Sequence, residues 1–112
     1  MFADFVYTKK FDKEWESVGL NDDDLRPLES YLLKNPTAGK IMVGTGGIRK
    51  LRWMLPNTGK SGGIRVLYID YVSYGKICMF DLFAKDEKGN LSVAERNALK
   101  AVVKAIGEEF GK

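Results

Sequence analysis

The chain of 112 residues has no histidine and only one cysteine. Without an imidazole it lacks the side chain that most often serves as a general base, and no histidine-containing metal site can form. Cys78 cannot make an internal disulfide, and its apolar neighbours predict a buried thiol rather than a nucleophile. Catalysis, if present, must rest on other groups, and we expect neither a metal nor a cofactor.

The sequence also lacks a long hydrophobic run. No stretch approaches the length of a membrane span, and Met1 to Trp15 alternates charged and aromatic residues instead of forming an apolar signal core. A chain of 112 residues suits one domain with a modest core, which we place at residues 1–112. We therefore expect a cytosolic protein of one domain.

Acidic residues are absent from Ser30 to Ile69, where seven lysines or arginines stand among seven of the chain's twelve glycines. The whole chain has 18 basic and 15 acidic residues, so the remainder has an acidic balance. A locally positive electrostatic field attracts anionic partners, and contacts to phosphate dominate the affinity of proteins for nucleic acids. We call Ser30 to Ile69 the acid-free window. It predicts a surface that binds the phosphates of RNA and on which no carboxylate opposes the cations. A merely solvated face is the alternative.

Hydrophobic periodicity predicts an α+β domain with two N-terminal helices, a central and mostly antiparallel sheet, and a C-terminal helix. A strand at Ala3–Tyr7 precedes a first helix that Thr8 caps. The second helix starts near Asn21, stops before Asn35, and accepts Pro27 only within about its first turn.

The second half of the chain changes to strand periodicity. Strands are predicted at Ile48–Leu55, Ile64–Val72 and Lys76–Phe83, the last in the middle of the sheet and joined to the second by a hairpin at Ser73–Gly75. A capping box opens the final helix at Ser92. The apolar stripe predicted for this helix consists of Val93, Leu99, Val102, Val103, Ile106 and Phe110.

Alternation along Ile48–Leu55 places Lys50 and Arg52 on one face of the sheet and Arg49 on the other. Farther on, Gly59-Lys60-Ser61 resembles the end of a phosphate-binding loop, but the first glycine of that motif would fall at Met54. We interpret this segment as a basic hairpin tip whose Lys60 contacts RNA.

Three segments carry a resemblance to a known family: Asn35-Pro36, Gly44 to Arg52, and Gly59 to Tyr68. Their order and spacing resemble the HigB-like branch of the bacterial RelE toxin superfamily of type II toxin–antitoxin systems. The resemblance implies a RelE-like fold and a ribosome-dependent mRNA endonuclease, an mRNA interferase that cuts message in the decoding site of the 70S ribosome. It also implies a HigA-like antitoxin as the partner that holds the toxin inactive.

The family's catalytic cations carry over by position. Its basic pair on one strand corresponds to Lys50 and Arg52, its arginine on the next strand to Arg65, and its basic residue after the last strand to Lys85. Where RelE has a further arginine beyond that strand, this chain has Asp86.

The base-stacking tyrosine of RelE is also missing, because no aromatic residue stands between Phe83 and Phe110. Tyr68 or Tyr71 can replace it only if the strand points one of them into the cleft. We name Tyr68 as an RNA-binding residue, together with Lys40 and Lys60.

Cleavage of RNA by its own 2′-hydroxyl needs a proton acceptor, stabilisation of charge on the phosphorane and a proton donor to the leaving oxygen. Arginine stays protonated and presents a planar fork to phosphate, so we assign Lys50 as the candidate base. Arg65 is then the clamp on the scissile phosphate, Arg52 the transition-state stabiliser or an anchor for the substrate, and Lys85 the proton donor.

Two other classes of function stay open. A ParE-like toxin shares this architecture but binds a topoisomerase and needs no nuclease residues. A noncatalytic RNA-binding module needs only the basic patch.

Overall fold

The computed structural model describes residues 3–55, 63–84 and 91–112. The strands found there are Asp4–Tyr7 (β1), Lys40–Ile41 (β2), Arg49–Trp53 (β3), Ile64–Tyr71 (β4) and Lys76–Phe83 (β5). The α-helices are Lys9–Ser17 (α1), Asp22–Lys34 (α2) and Val93–Phe110 (α3). Among these described strands the sheet order is β1-β5-β4-β3-β2, and only the β1–β5 pair is parallel. The predicted α+β architecture is confirmed.

Each of these α-helices begins directly after a residue whose side chain accepts a hydrogen bond from one of the first N–H groups of that helix. The Thr8 hydroxyl accepts a hydrogen bond from the Phe11 N–H at 3.0 Å, and Ser92 makes the predicted reciprocal contacts with Glu95. Pro27 lies in the second turn of α2 rather than the first. It is exposed there, so water can reach the carbonyl that its missing N–H leaves unpaired.

A hydrophobic cluster covers each face of the sheet, so the molecule has three layers. On one face α1 and α2 pack with the strands; the fully buried members of this cluster include Phe11, Leu28, Leu32, Ile64, Val66, Tyr68, Ile77 and Met79. On the other face α3 packs; the buried members there are Ile48, Leu67, Ile69, Cys78 and Val103. Each fully buried Val, Leu, Ile, Phe or Met among them contributes about 1.5–3 kcal/mol through burial. The prediction that Cys78 packs as a small apolar residue is confirmed.

Helix α3 presents a narrower apolar stripe than the sequence predicts. Val93 is 75% exposed and Val102 is 43% exposed. With 3.6 residues per turn, Val93 lies about 120° around the helix from Leu99, whereas Val103 lies about 40° from it. The Tyr71 hydroxyl also fastens the helix, donating to the Val103 carbonyl at 2.6 Å. None of the helices in the described residues is long and apolar enough to cross a membrane.

Candidate functional site

A short hairpin brings Lys40 beside Lys50. In the β2–β3 register these two residues are direct partners, so their side chains share a face. The buried Thr45 closes the connecting loop by donating to the Met42 carbonyl at 2.7 Å and accepting from the Ile48 N–H at 3.1 Å. Strand β2 has only two residues, too few to show alternation, so the sequence does not predict it.

Arg49 anchors the segment that leads into this hairpin. Its Nε donates to Asp70 Oδ1 at 3.0 Å and its Nη1 donates to the Gly39 carbonyl at 2.8 Å. Both side chains of the ion pair are about five-sixths buried, at 16% and 15% exposure. Arg49 is therefore structural, and it lies on the α1–α2 face, opposite Lys50, as predicted.

Tyr68 belongs to the same anchor and is not a surface residue. Its side chain is fully buried, its hydroxyl donates to the Pro36 carbonyl at 2.8 Å, and it accepts from the Gly39 N–H at 3.0 Å. Burial raises the pKa of its phenol. The ring faces the α1–α2 core and offers no exposed surface to a base, so the structure gives no support to an RNA-binding role for Tyr68, which stays a prediction from the sequence. Tyr71 does not replace it, since its hydroxyl is bound to α3.

The cations of β3 and β4 meet on the α3 face of the sheet. Arg52 and Arg65 are direct cross-strand partners, and Lys50 is two residues from Arg52 along the same face. Direct partners have Cβ atoms about 5 Å apart, and two residues along a strand span about 6.6 Å. Arg52 is exposed, while Lys50 and Arg65 are half-buried. We call Lys40, Lys50, Arg52 and Arg65 the cation cluster.

The other predicted site residues do not join this cluster in the described structure. Lys60 and Lys85 lie outside the described residues. Lys34, another lysine of the acid-free window, ends α2 on the opposite side of the sheet.

A carboxylate from outside the acid-free window lies in the same row as Lys50. Leu67 of β4 pairs with Lys50 on one side and with Asp81 of β5 on the other. A β-bulge between Leu67 and Tyr68 of that register turns both Phe80 and Asp81 toward α3. The expectation that no acid approaches the cluster is therefore wrong, because strand pairing brings a residue from beyond the window.

Beside that row lies a cleft of about 520 Å³ between the sheet and the first turns of α3. Lys50, Leu67 and Asp81 line it from the strands, and Glu95 and Leu99 line it from α3. Lys10 and Glu14 of α1 also line it, so the cleft holds three carboxylates and two ammonium groups. The only signal for Asp81 in the sequence was its charge within a strand whose other residues after Lys76 are apolar.

Two glycines of the β2–β3 loop allow the loop backbone to lie against α3. A Cβ at Gly44 would lie 3.0 Å from Arg96 Cδ, and one at Gly46 would lie 3.3 Å from Lys100 Cγ. Contacts that close leave little room for a side chain. At Gly44 and Gly46 the group that approaches the loop backbone is therefore α3.

A second cleft, between α1 and α2, has the opposite charge. It holds about 650 Å³ and is lined by Trp15 with the carboxylates of Asp12, Glu16, Asp22 and Asp23. Carboxylates in these positions repel phosphate and attract cations or the positive ends of helix dipoles. The candidate site for a phosphate group is therefore the cation cluster.

The cation cluster can bind phosphate through two guanidinium groups and present an amine to an adjacent hydroxyl. Among the residues that the structure describes, no group of three His, Cys, Asp or Glu side chains is placed to hold a metal ion. The chain matches no model of a known protein family.

Proposed function

We propose that the chain is the toxin of a type II toxin–antitoxin pair, a HigB-like member of the RelE superfamily that cleaves mRNA on the ribosome. The observation that carries this proposal is the direct pairing of Arg52 with Arg65, with Lys50 beside them on one face. Stability alone disfavours two like charges directly opposite each other on neighbouring strands. Two guanidinium groups brought together on one face form a site that suits an anionic ligand such as phosphate.

In this proposal the RNA supplies its own nucleophile. Lys50 takes the proton of the 2′-hydroxyl, the 2′-oxygen attacks phosphorus, and the bond to the 5′-oxygen breaks. Arg65 holds the phosphate and Arg52 stabilises the charge that grows on its oxygens. The leaving oxygen takes a proton from Lys85, whose role rests on the family resemblance alone. The products are a 2′,3′-cyclic phosphate and a 5′-hydroxyl end.

The family resemblance also supplies the partner. We propose a HigA-like antitoxin that inhibits the toxin by binding it.

Mapping of cut sites in a defined message, with and without 70S ribosomes, tests the proposal. We expect cuts within translated codons only when ribosomes are present, and 5′-hydroxyl ends at each cut. RNA that is bound but never cut would favour the noncatalytic module. Intact message together with inhibited DNA supercoiling would favour the ParE-like function.

A further inference from the structure

The cleft beside the cation cluster has the size and lining of a site for a flat organic ring. Its volume of about 520 Å³ falls within the range of about 300–1,000 Å³ that is usual for small-ligand sites. Leu67, Phe80 and Leu99 supply apolar and aromatic surface to the lining. Apolar walls with a few fixed polar groups are typical of sites that bind and orient a ligand.

The buried polar group of the cleft is Asp81, and its orientation is fixed. Its side chain is only 14% exposed. Oδ1 accepts a hydrogen bond from the Leu82 N–H at 2.8 Å, and Oδ2 lies 2.8 Å from the ammonium group of Lys10. A carboxylate has about four lone-pair sites, so these two contacts leave capacity to accept a further N–H.

The cleft is continuous with the proposed catalytic cluster through Lys50. This residue lines the cleft and also lies next to Arg52 on β3. Strands are about 4.8 Å apart, so Asp81 on β5 is about 10 Å across the sheet from the strand that carries Lys50. A nucleotide can therefore place its base against Asp81 while its phosphate reaches the cations.

We infer that this cleft is a nucleobase subsite that selects bases with an exocyclic amino group through Asp81. The inference rests on the proposed function, because it takes the base to be part of the cleaved RNA. A carboxylate only accepts hydrogen bonds, so it pairs with the amino group of cytosine, adenine or guanine. Uracil has a carbonyl oxygen where cytosine has the amino group, and the one N–H on its pairing edge, at N3, lies between two carbonyl oxygens that a carboxylate repels, so we expect it to bind less well.

Two measurements on the full chain test this subsite. The first is the base composition at cut sites in a randomised message on programmed ribosomes. The second is the affinity for CMP and for UMP, followed by NMR shifts at Leu67 and Leu99. For the parent we expect at least about a fivefold preference for amino-bearing bases over uracil in both.

Asp81→Asn keeps the shape of the side chain but adds a donor, so we expect it to abolish the preference. Lys10→Gln removes the ion pair but keeps the carboxylate, so the preference should survive in that variant. Asp12→Asn is the matched control for an acid-to-amide change away from the cleft. If Asp81→Asn does not fold, Ala98→Trp serves instead, since it fills the cleft from an exposed helix position and should abolish CMP binding.

The outcomes separate the subsite from the proposed function. Cleavage without discrimination against uracil, or an unchanged preference in Asp81→Asn, would overturn the subsite and leave the nuclease intact. Absence of cleavage under every condition would overturn the nuclease. The nucleotide titrations would then decide the subsite alone: CMP preferred over UMP supports it, and equal or absent binding overturns it.

Discussion

Replacement of Arg52 by glutamine should make the protein more stable and less active. Arg52 is exposed and lies directly opposite Arg65 across the β3–β4 ladder. Glutamine keeps most of the side-chain length while it removes one of the two like charges. The substitution therefore removes the repulsion between the guanidinium groups of Arg52 and Arg65.

The size of the gain follows from Coulomb's law. Two charges about 7 Å apart in a medium close to water repel each other by about 0.6 kcal/mol. Unfavourable cross-strand pairs cost about 0.2–1 kcal/mol, so we expect Arg52→Gln to raise the free energy of unfolding by about 0.5 kcal/mol. For a domain of this size that corresponds to a rise of about 2–4 °C in the melting temperature. The same change should lower the cleavage rate by about 100-fold.

Thermal unfolding at low and high salt, with cleavage of ribosome-bound message beside it, measures both effects. At about 1 M salt the Debye length is about 3 Å, so the stability gain should vanish while folding stays intact. Arg26→Gln is the matched control, because Arg26 is exposed on α2 and lies near Asp23 at 3.6 Å. A less stable Arg52→Gln protein, or one that cleaves at the parent rate, would refute the reasoning.

Three further substitutions test the framework around the site. Arg49→Gln leaves the mostly buried Asp70 without its guanidinium, so we expect a loss of about 1–3 kcal/mol in urea denaturation; an unchanged midpoint would contradict the anchor. Gly63→Ala puts a Cβ against the Trp53 carbonyl at a positive φ, which should cost at least about 1–2 kcal/mol, and a variant as stable as the parent would disprove this constraint. Burial raises the pKa of Cys78 to about 11, so the unfolded chain loses that proton first and stability should fall as the pH rises from about 9 towards 11. Cys78→Ala should lose less stability over that interval, and equal losses in both proteins would exclude the thiol as a cause.

The sequence predicted the elements with strong local signals. Thr8 and Ser92 cap α1 and α3 as expected, because a capping side chain acts within three residues of its own position. Strand β5 lies inside the sheet, as its run of apolar residues indicated. Two features were not predicted. Strand β2 has only two residues, which is too few to show alternation. The exposure of Val93 depends on which side of α3 packs on the sheet, and this is a matter of long-range packing.

At the candidate site, too, the features that depend on local sequence were predicted and those that depend on strand pairing were not. Alternation along β3 correctly separated Lys50 from Arg49, since the side-chain period of a strand is local. The pairing of Arg52 with Arg65 depends on register, which alternation alone does not give. Asp81 was missed because a β-bulge and an ion pair with a residue 71 positions earlier fix its direction.

The most direct test of the central claim is the single-turnover rate of message cleavage on programmed ribosomes by the parent, Lys50→Met and Arg65→Gln. Arg26→Gln is again the control, because it removes one positive charge from a helix on the other layer. We expect both cluster variants to cleave at least about 100-fold more slowly than the parent and the control to match it. If Lys50→Met and Arg65→Gln cut ribosome-bound message as fast as the parent, the cation cluster is not the catalytic site.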